Sequence, residues 1–186
     1  MDQIEKCIAV NIELYKSDLI IDTFGNVSQK IDDNHFGIKP SGVDPSEVSI
    51  DDLPVINIVT GEKVSGYLNP SSDTPTHLNL YRSFPSIGGI VHTHSLFAST
   101  WAQASKNIPN LGTTHSDYWE NDIPVTRSLT ENEVLEDYEY NTGVVLSEII
   151  SQNSKSALNF PGALVRHHGP FTWGKDCKIA LKNARL

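Results

Sequence analysis

The spacing of apolar residues along the chain predicts several amphipathic helices. Near the N-terminus Ile4, Ile8 and Ile12 recur at helical spacing. Apolar spacing together with start and stop signals predicts four more helices. They lie at residues 75–84, around residues 97–104, from residue 130 toward residue 150, and from residue 180 to the end of the chain. The third of these begins with Thr130 and Glu133, a pair with the spacing of a capping box.

Runs of β-branched and aromatic residues, bounded by Gly and Pro, predict the strands. Residues 55–59 and 63–67 flank Gly61 and predict a hairpin, and further strands are predicted at residues 35–39, 90–94, 123–125 and 163–165. Residues 24–28 are expected to form a loop. Strands that first form a hairpin and later alternate with helices indicate an α+β or mixed α/β sheet covered by helices.

Length, composition and charge limit the class of protein. Of the 186 residues 38% are hydrophobic, which suffices for one sizeable core but hardly for two, so a single domain over residues 1–186 is expected. The net charge is −9, from 14 Lys and Arg against 23 Asp and Glu. Nucleic acids and anionic membranes repel an acidic protein, so neither is an expected partner.

Nothing in the sequence has the pattern of a targeting or membrane segment. The two cysteines, Cys7 and Cys177, have no CxxC spacing, and the N-terminus has no basic and apolar signal-peptide regions. No apolar run approaches the roughly 18 residues of a membrane-spanning helix. We therefore expect a protein of the cytoplasm with no membrane partner.

Three histidines form the strongest chemical signal in the sequence. His92 and His94 lie two residues apart on a predicted strand, so both side chains point to one face with Cα atoms about 6.5 Å apart. Such a pair can reach the roughly 2.0–2.1 Å of a zinc–nitrogen bond, but it is equally typical of ordinary packing. His168, at the end of another predicted strand and just before a turn predicted at Gly169 and Pro170, offers a third ligand. Three neutral imidazoles would leave Zn²⁺, or another divalent metal, an open position for a hydroxy-ketone.

Three short segments have the composition of a phosphate-binding site. They combine hydroxyl groups, one ammonium group and backbone that glycine allows to approach a ligand. Ser71 and Ser72 would also stand at a helix N-terminus, where free N–H groups favour an anion. Each segment by itself is typical of a turn, and only their occurrence with the histidines indicates a site. The candidate residues are Gly25, Asn26, Lys39, Ser41, Gly42, Ser71 and Ser72.

Two carboxylates, Asp73 and Asp117, are candidates for acid–base chemistry. Asp73 adjoins Ser72, and Asp117 lies in a Thr-Thr-His-Ser-Asp-Tyr run. Each also has a structural interpretation, Asp73 as the cap of the helix that follows and Asp117 as a solvated turn residue. Of the other histidines, we interpret His35 and His77 as structural or surface residues.

Five motifs occur in this order: Phe24-Gly25-Asn26-Val27-Ser28, Lys39-Pro40-Ser41-Gly42, Ser71-Ser72-Asp73-Thr74-Pro75-Thr76-His77, Gly88-Gly89-Ile90-Val91-His92-Thr93-His94 and His168-Gly169-Pro170-Phe171. Together they resemble the class II aldolase and adducin family, and within it most closely the L-ribulose-5-phosphate 4-epimerases. The likeness spans nearly the whole chain. It implies a mixed α/β fold with three αβα-like layers, in which helices cover a largely antiparallel central sheet.

The resemblance also implies a function. It is a zinc-dependent retro-aldol reaction that inverts C4 of L-ribulose 5-phosphate and gives D-xylulose 5-phosphate. By this likeness His92, His94 and His168 bind the metal, and Asp73 is a ligand or proton carrier beside it. The seven phosphate-site candidates would contact a phosphorylated ketopentose. A homotetramer with active sites between subunits is implied as well.

The chain departs from the epimerase pattern in two places. Asp117 matches an acid–base aspartate that works with a tyrosine near the C-terminus, donated by a neighbouring subunit. Relatives continue for some tens of residues beyond Leu186, so the resemblance predicts that a C-terminal segment with this tyrosine is missing here. Arg166 stands where relatives often carry histidine, and it is expected to share a strand face with His168.

Two other functions compete with the epimerase. A sugar-phosphate aldolase of the same family, of the fuculose- or rhamnulose-phosphate type, uses the same metal ligands but releases its fragments. Such aldolases tend to carry glutamate where this chain has Asp73. An adducin-like interaction domain, which is not an enzyme, would not need an intact set of three histidines.

Overall fold

The computed structural model describes residues 2–154 and 156–186, which form a seven-stranded sheet and six α-helices. The strands are β1 Gly25–Lys30, β2 His35–Ile38, β3 Val55–Asn57, β4 Lys63–Ser65, β5 Gly89–Thr93, β6 Gly162–Leu164 and β7 Pro170–Gly174. The helices are α1 Gln3–Tyr15, α2 Thr74–Ser83, α3 Leu96–Gln103, α4 Thr113–Ser116, α5 Glu131–Asn153 and α6 Cys177–Arg185. Short 3₁₀ helices cover Pro45–Glu47, Ile50–Asp52 and Ala157–Asn159.

The sheet is antiparallel throughout, with the strand order β4-β3-β2-β1-β5-β7-β6. β1 and β5 lie side by side at its centre, so that Asn26 is directly opposite His92. β7 pairs with the other side of β5 and places Phe171 opposite the same histidine. The predicted mixed α/β class with a largely antiparallel sheet is confirmed.

Alternation along the strands divides the core between the two faces of the sheet. Ile90 belongs to a large apolar cluster that includes Leu80 of α2 and Leu146 of α5. The next residue, Val91, points the opposite way and joins a smaller cluster with residues of α1 and α6. The sheet therefore lies between α2 and α5 on one face and α1 and α6 on the other, which are the three layers that were expected.

Most of the predicted elements are present. The N-terminal helix, the hairpin of β3 and β4, the helices α2, α3 and α6, and the strand β5 lie close to their predicted positions. α5 begins at the expected capping box: Thr130 Oγ1 accepts a hydrogen bond from the Glu133 N–H, and a Glu133 carboxylate oxygen accepts one from the Thr130 N–H. Local side-chain chemistry was sufficient to locate these elements.

Three predictions for strands were wrong. Residues 24–28 were expected to be a loop, but residues 25–28 belong to β1, because this strand pairs with β5 through residues 25–29 and with β2 through residues 28–30. A turn was predicted at Gly169 and Pro170, but the strand β7 begins at Pro170. Residues 123–125 form isolated bridges, from Ile123 to Ile108 and from Val125 to Leu164, in place of a strand.

None of the helices in the described part of the chain has both the length and the apolar content required to cross a membrane.

Candidate metal centre

The three imidazoles predicted to bind a metal converge. His92 Nε2 lies 3.0 Å from His94 Nε2, which lies 3.1 Å from His168 Nε2. One potential ligand atom from each residue lies within 4.8 Å of the other two. Nitrogens bound tetrahedrally to one zinc ion are separated by about 3.3 Å, a value set by the Zn–N bond length. A single divalent cation therefore fits the three residues without a change in the backbone.

The three histidines lie in different kinds of backbone structure. His92 lies within β5 and is buried, whereas His94 follows the end of that strand. His168 was expected at the end of a strand, but it lies in the turn between β6 and β7. The residue before it, His167, has a φ of 63°, in the left-handed region. That conformation is uncommon for a residue other than glycine, and it turns the chain so that His168 faces the sheet centre.

The hydrogen bonds and burial of the imidazoles suit metal binding. The Pro170 carbonyl lies 3.0 Å from His92 Nδ1 and can only accept, so Nδ1 carries the hydrogen and the Nε2 lone pair faces the other imidazoles. The His92 ring also stacks on Phe171, with centroids 4.0 Å apart. Burial lowers the pKa of His92, His94 and His168, most strongly for His92. All three are therefore held in the neutral form that binds metals.

Asp73 faces this centre instead of capping a helix. It occupies the N-cap position of α2, but its side chain makes no capping hydrogen bond. Its Oδ2 accepts a 2.6 Å hydrogen bond from Asn26 Nδ2 and lies 4.0 Å from His92 Nε2. The capping interpretation of this residue is therefore wrong. The carboxylate is held beside the imidazoles by an amide from the central strand β1.

All seven candidates for phosphate binding line one pocket with the imidazoles and Asp73. The pocket has a volume of about 330 Å³, and it also contacts Thr23, Phe24, Tyr138 and Glu139. Two of its glycines, Gly25 and Gly42, have positive φ of 134° and 67°. At Gly25 a β-carbon would collide with Ile20 and approach the His92 carbonyl, so no larger residue fits there.

Lys39 is the cation of this pocket and is only 4% exposed. Its Nζ donates hydrogen bonds to the carbonyls of Pro40, at 3.1 Å, and Thr23, at 3.4 Å. Burial lowers its pKa, while the more distant Asp44 acts in the opposite direction. Within the described residues no carboxylate forms an ion pair with it. A buried ammonium that is solvated by carbonyls alone is suited to an anionic ligand.

Two predicted residues are not brought to this pocket. Asp117 is exposed and lines a separate depression beside Asn159 and Pro161. Arg166 lies in the turn after β6, and its guanidinium approaches the Ser128 hydroxyl at 3.3 Å. Arg166 and His168 both lie in the turn between β6 and β7, so the expectation that they share a strand face is wrong. Arg166 does not line the pocket.

Tyr138 and Glu139 were missed by the sequence analysis. Both lie in an acidic stretch of α5 whose spacing carries no chemical signal, and they enter the pocket because the helix packs beside α2. The Tyr138 hydroxyl lies 3.1 Å from His168 Nδ1. Burial raises the pKa of Tyr138, so its phenol keeps its proton at neutral pH. No pattern in the sequence would have identified this pair.

Comparison with known proteins agrees with the architecture. A family model described as the Class II Aldolase and Adducin N-terminal domain matches residues 5–186. An L-fuculose 1-phosphate aldolase matches with a TM-score of 0.83 and 23% identity over 99% of this chain and 80% of that chain. The L-fuculose-1-phosphate aldolase from Thermus thermophilus has a TM-score of 0.72 and 22% identity, over 98% of this chain and 87% of that one.

A sugar-phosphate aldolase from Thermotoga maritima matches with a TM-score of 0.76 and 17% identity, over 98% of this chain and 89% of that chain. At these identities the solved structures show a shared fold. The family model extends over nearly all of the sequence and includes every residue of the pocket. The chain therefore belongs to the class II aldolase and adducin family.

Proposed function

We propose that this protein cleaves and re-forms a carbon–carbon bond in a phosphorylated ketose, and that its reaction is the C4 epimerisation of L-ribulose 5-phosphate to D-xylulose 5-phosphate. The observation that carries the proposal is the single pocket in which three neutral imidazoles, a carboxylate and a buried ammonium meet. A metal-assisted retro-aldol reaction on a sugar phosphate uses these three chemistries together.

The metal ligands would be His92, His94 and His168, and zinc is the divalent cation we expect. When bound there, the cation supplies Lewis-acid polarisation of the carbonyl and hydroxyl oxygens of the substrate. The protein contributes neutral ligands and a fixed geometry. Asn26 keeps the Asp73 carboxylate close to these nitrogens, where it serves as a further ligand or as a proton carrier.

The phosphate would be bound by other residues of the same pocket. They are Lys39, with its buried ammonium, and Ser71 and Ser72, which precede the N-terminus of α2. Serine hydroxyls, backbone N–H groups and the helix dipole favour a dianion. A fragment bound in this way stays in place while its carbonyl turns, which is what separates an epimerase from an aldolase.

Acid–base chemistry on two faces of the aldehyde requires two proton carriers. Cleavage of the C3–C4 bond removes the proton of the C4 hydroxyl, and re-formation returns a proton on the opposite face. We assign one carrier to Asp73. The second is Asp117, which is exposed and outside the pocket of its own chain, so the proposal requires a second copy of the chain, as in a homotetramer, to supply it.

The aldolase is the second candidate, and the position of Asp117 favours it. Without Asp117 to serve the opposite face of the aldehyde, the bond would not re-form with inverted C4, and the fragments would leave as separate products. Family enzymes of the fuculose-phosphate type then become the better functional comparison, and the substrate would be a different phosphorylated ketose.

The decisive experiment follows L-ribulose 5-phosphate with zinc-loaded protein by NMR. D-xylulose 5-phosphate as the product supports the epimerase, whereas free dihydroxyacetone and glycolaldehyde phosphate support the aldolase. Asp117→Asn should reduce epimerisation more than metal binding, and Lys39→Met should raise KM for the phosphorylated substrate. The same assay is repeated with fuculose 1-phosphate and rhamnulose 1-phosphate, and failure to convert all three in the presence of metal would refute the proposed activities and favour the adducin-like interaction domain.

A further inference from the structure

Helix α5 is interrupted just before Tyr138. Asp137 has a φ of −159° and a ψ of 83°, so the helix stops and restarts at this point. Asn141 Nδ2 donates to the carbonyls of Glu133 and Asp137, and Asp137 Oδ1 accepts from the Tyr140 N–H at 3.1 Å. Side chains that insert into the helical hydrogen bonds account for the interruption. Tyr138 thus stands in the first turn of the second helical segment.

The new segment is fixed to α2, the helix that follows Asp73. Thr76 Oγ1 of α2 donates a 2.6 Å hydrogen bond to the Glu139 carbonyl. Gly143, one turn further along α5, packs so closely on Asn79 of α2 that a β-carbon would come within 2.6 Å of the Asn79 β-carbon. The backbone of Tyr138 is therefore held in a constant position relative to the pocket.

The Tyr138 hydroxyl contacts the imidazole that lies in a turn. His92 is fixed by β5 and by the Pro170 carbonyl. His168 lies in a turn, and its Nδ1 is 3.1 Å from Tyr138 Oη. If Nδ1 donates to Oη, the Nε2 lone pair faces His94, in the same arrangement that the Pro170 carbonyl imposes on His92.

We infer that Tyr138 is a positioning residue for the metal centre: its hydroxyl accepts a hydrogen bond from His168 Nδ1 and so fixes both the tautomer and the ring orientation of that ligand. Hydrogen bonds of this kind to metal-binding histidines are each worth about 10- to 100-fold in metal affinity. Because the oxygen accepts from His168, the hydroxyl hydrogen of Tyr138 remains available to an oxygen of a ligand in the pocket. The inference rests on the proposed metal site.

The test measures metal affinity and tautomer state, which a merely structural role would not change. Competition between metal-free protein and a chelating dye gives the Kd for Zn²⁺. Tyr138→Phe keeps the ring and should weaken Zn²⁺ binding by about 10- to 100-fold. Tyr140→Phe removes a hydroxyl two residues along the same helix, from a residue that does not line the pocket, and should leave the Kd unchanged.

Nitrogen-15 NMR of the metal-free protein gives an independent reading. In the wild type the His168 ring should carry its hydrogen on Nδ1, and in Tyr138→Phe the Nε2–H tautomer should become populated. Equal Zn²⁺ affinity and equal tautomer populations in the two proteins would overturn the inference. If the wild type itself fails to bind Zn²⁺, the proposed function fails, whereas the NMR comparison still decides whether Tyr138 orients His168.

Discussion

Replacing His77 with asparagine should remove a large part of the acid sensitivity of the fold. The His77 side chain is fully buried between α2 and the sheet, and its Nδ1 lies 2.7 Å from the Ser28 hydroxyl. Its Nε2 is buried without a hydrogen-bond partner among the described residues. A proton added to this ring would create a charge that nothing nearby solvates.

The size of the effect follows from the pKa of His77, which burial lowers to about 3 from an ordinary 6.5, with Asp73 opposing and His92 reinforcing the shift. Below pH 6.5 the unfolded chain binds a proton at this position and the folded chain does not. The free energy of unfolding therefore falls as the pH decreases, by up to about 1.4 kcal/mol per pH unit. Between pH 7.5 and 5.0 this single group accounts for about 2 kcal/mol.

The measurement is urea unfolding, followed by tryptophan fluorescence from pH 7.5 to 5.0 with a metal chelator present throughout. Asparagine retains a polar atom near the position of Nδ1 but fills less of the site, so His77→Asn should be less stable than the wild type at pH 7.5. This deficit should shrink by roughly 2 kcal/mol, within about 1 kcal/mol, by pH 5.0, because only the wild type loses stability through His77 as the pH falls. His92, His94 and His168 titrate in both proteins, so their contribution cancels when the two curves are subtracted.

Ser28→Ala is the matched control. It removes the hydroxyl bonded to His77 and Tyr81 but leaves the imidazole in place. This variant should be less stable than the wild type at every pH, with the same dependence on pH. Parallel stability curves for the wild type and His77→Asn would show that His77 does not exclude a proton when folded, and would refute the reasoning.

Three further predictions concern other parts of the molecule. Zn²⁺ at about 100 times its Kd should stabilise the folded wild type by about 2.7 kcal/mol, measured as a higher Tm that EDTA reverses. His92→Ala should lose this response, whereas His35→Ala, at a half-buried histidine outside the pocket, should keep it. Gly143→Ala should destabilise the protein by about 1–3 kcal/mol in urea unfolding, because the clash with α2 outweighs the gain in helix propensity. The control is Gly112→Ala, where the new β-carbon has open space around it, and it should change stability by less than about 0.5 kcal/mol. Arg127 lowers the pKa of Glu133 to about 2, so the stability that this ion pair gives is present above pH 4.5 and is lost as the pH falls toward 2. The difference in stability between the wild type and Arg127→Met should shrink over that range, and a constant difference would contradict the assignment.

Part of the site was visible in the sequence because its residues lie close together along the chain. His92 and His94 lie two residues apart at the end of β5, and the two serines adjoin a helix N-terminus, so their chemistry follows from a few neighbouring positions. His168 and the phosphate-site segments were joined to them as candidates by residue type, and the resemblance to a family gave them their roles. The structure shows that all of these predicted residues except Asp117 meet in one pocket.

Other features could not be predicted from local patterns. Tyr138 reaches His168 only because α5 is interrupted at Asp137 and fixed to α2 by Thr76. The strand β7 was not predicted, because it begins at a Gly-Pro pair that is typical of turns. In each case contacts with distant residues determine the conformation, and short-range propensities favour a different one.

The sequence by itself determined the amphipathic helices, the capping box of α5, the hairpin and the pair of metal-binding candidates at the end of β5. These depend on side-chain periodicity and on hydrogen bonds between residues a few positions apart. Only the tertiary structure decided that residues 25–30 form a central strand, that His168 completes the imidazole cluster from a turn, and that Asp117 stays outside the pocket of its own chain. Strand pairing and the meeting of distant side chains depend on how the whole chain packs, and short stretches of sequence do not contain that information.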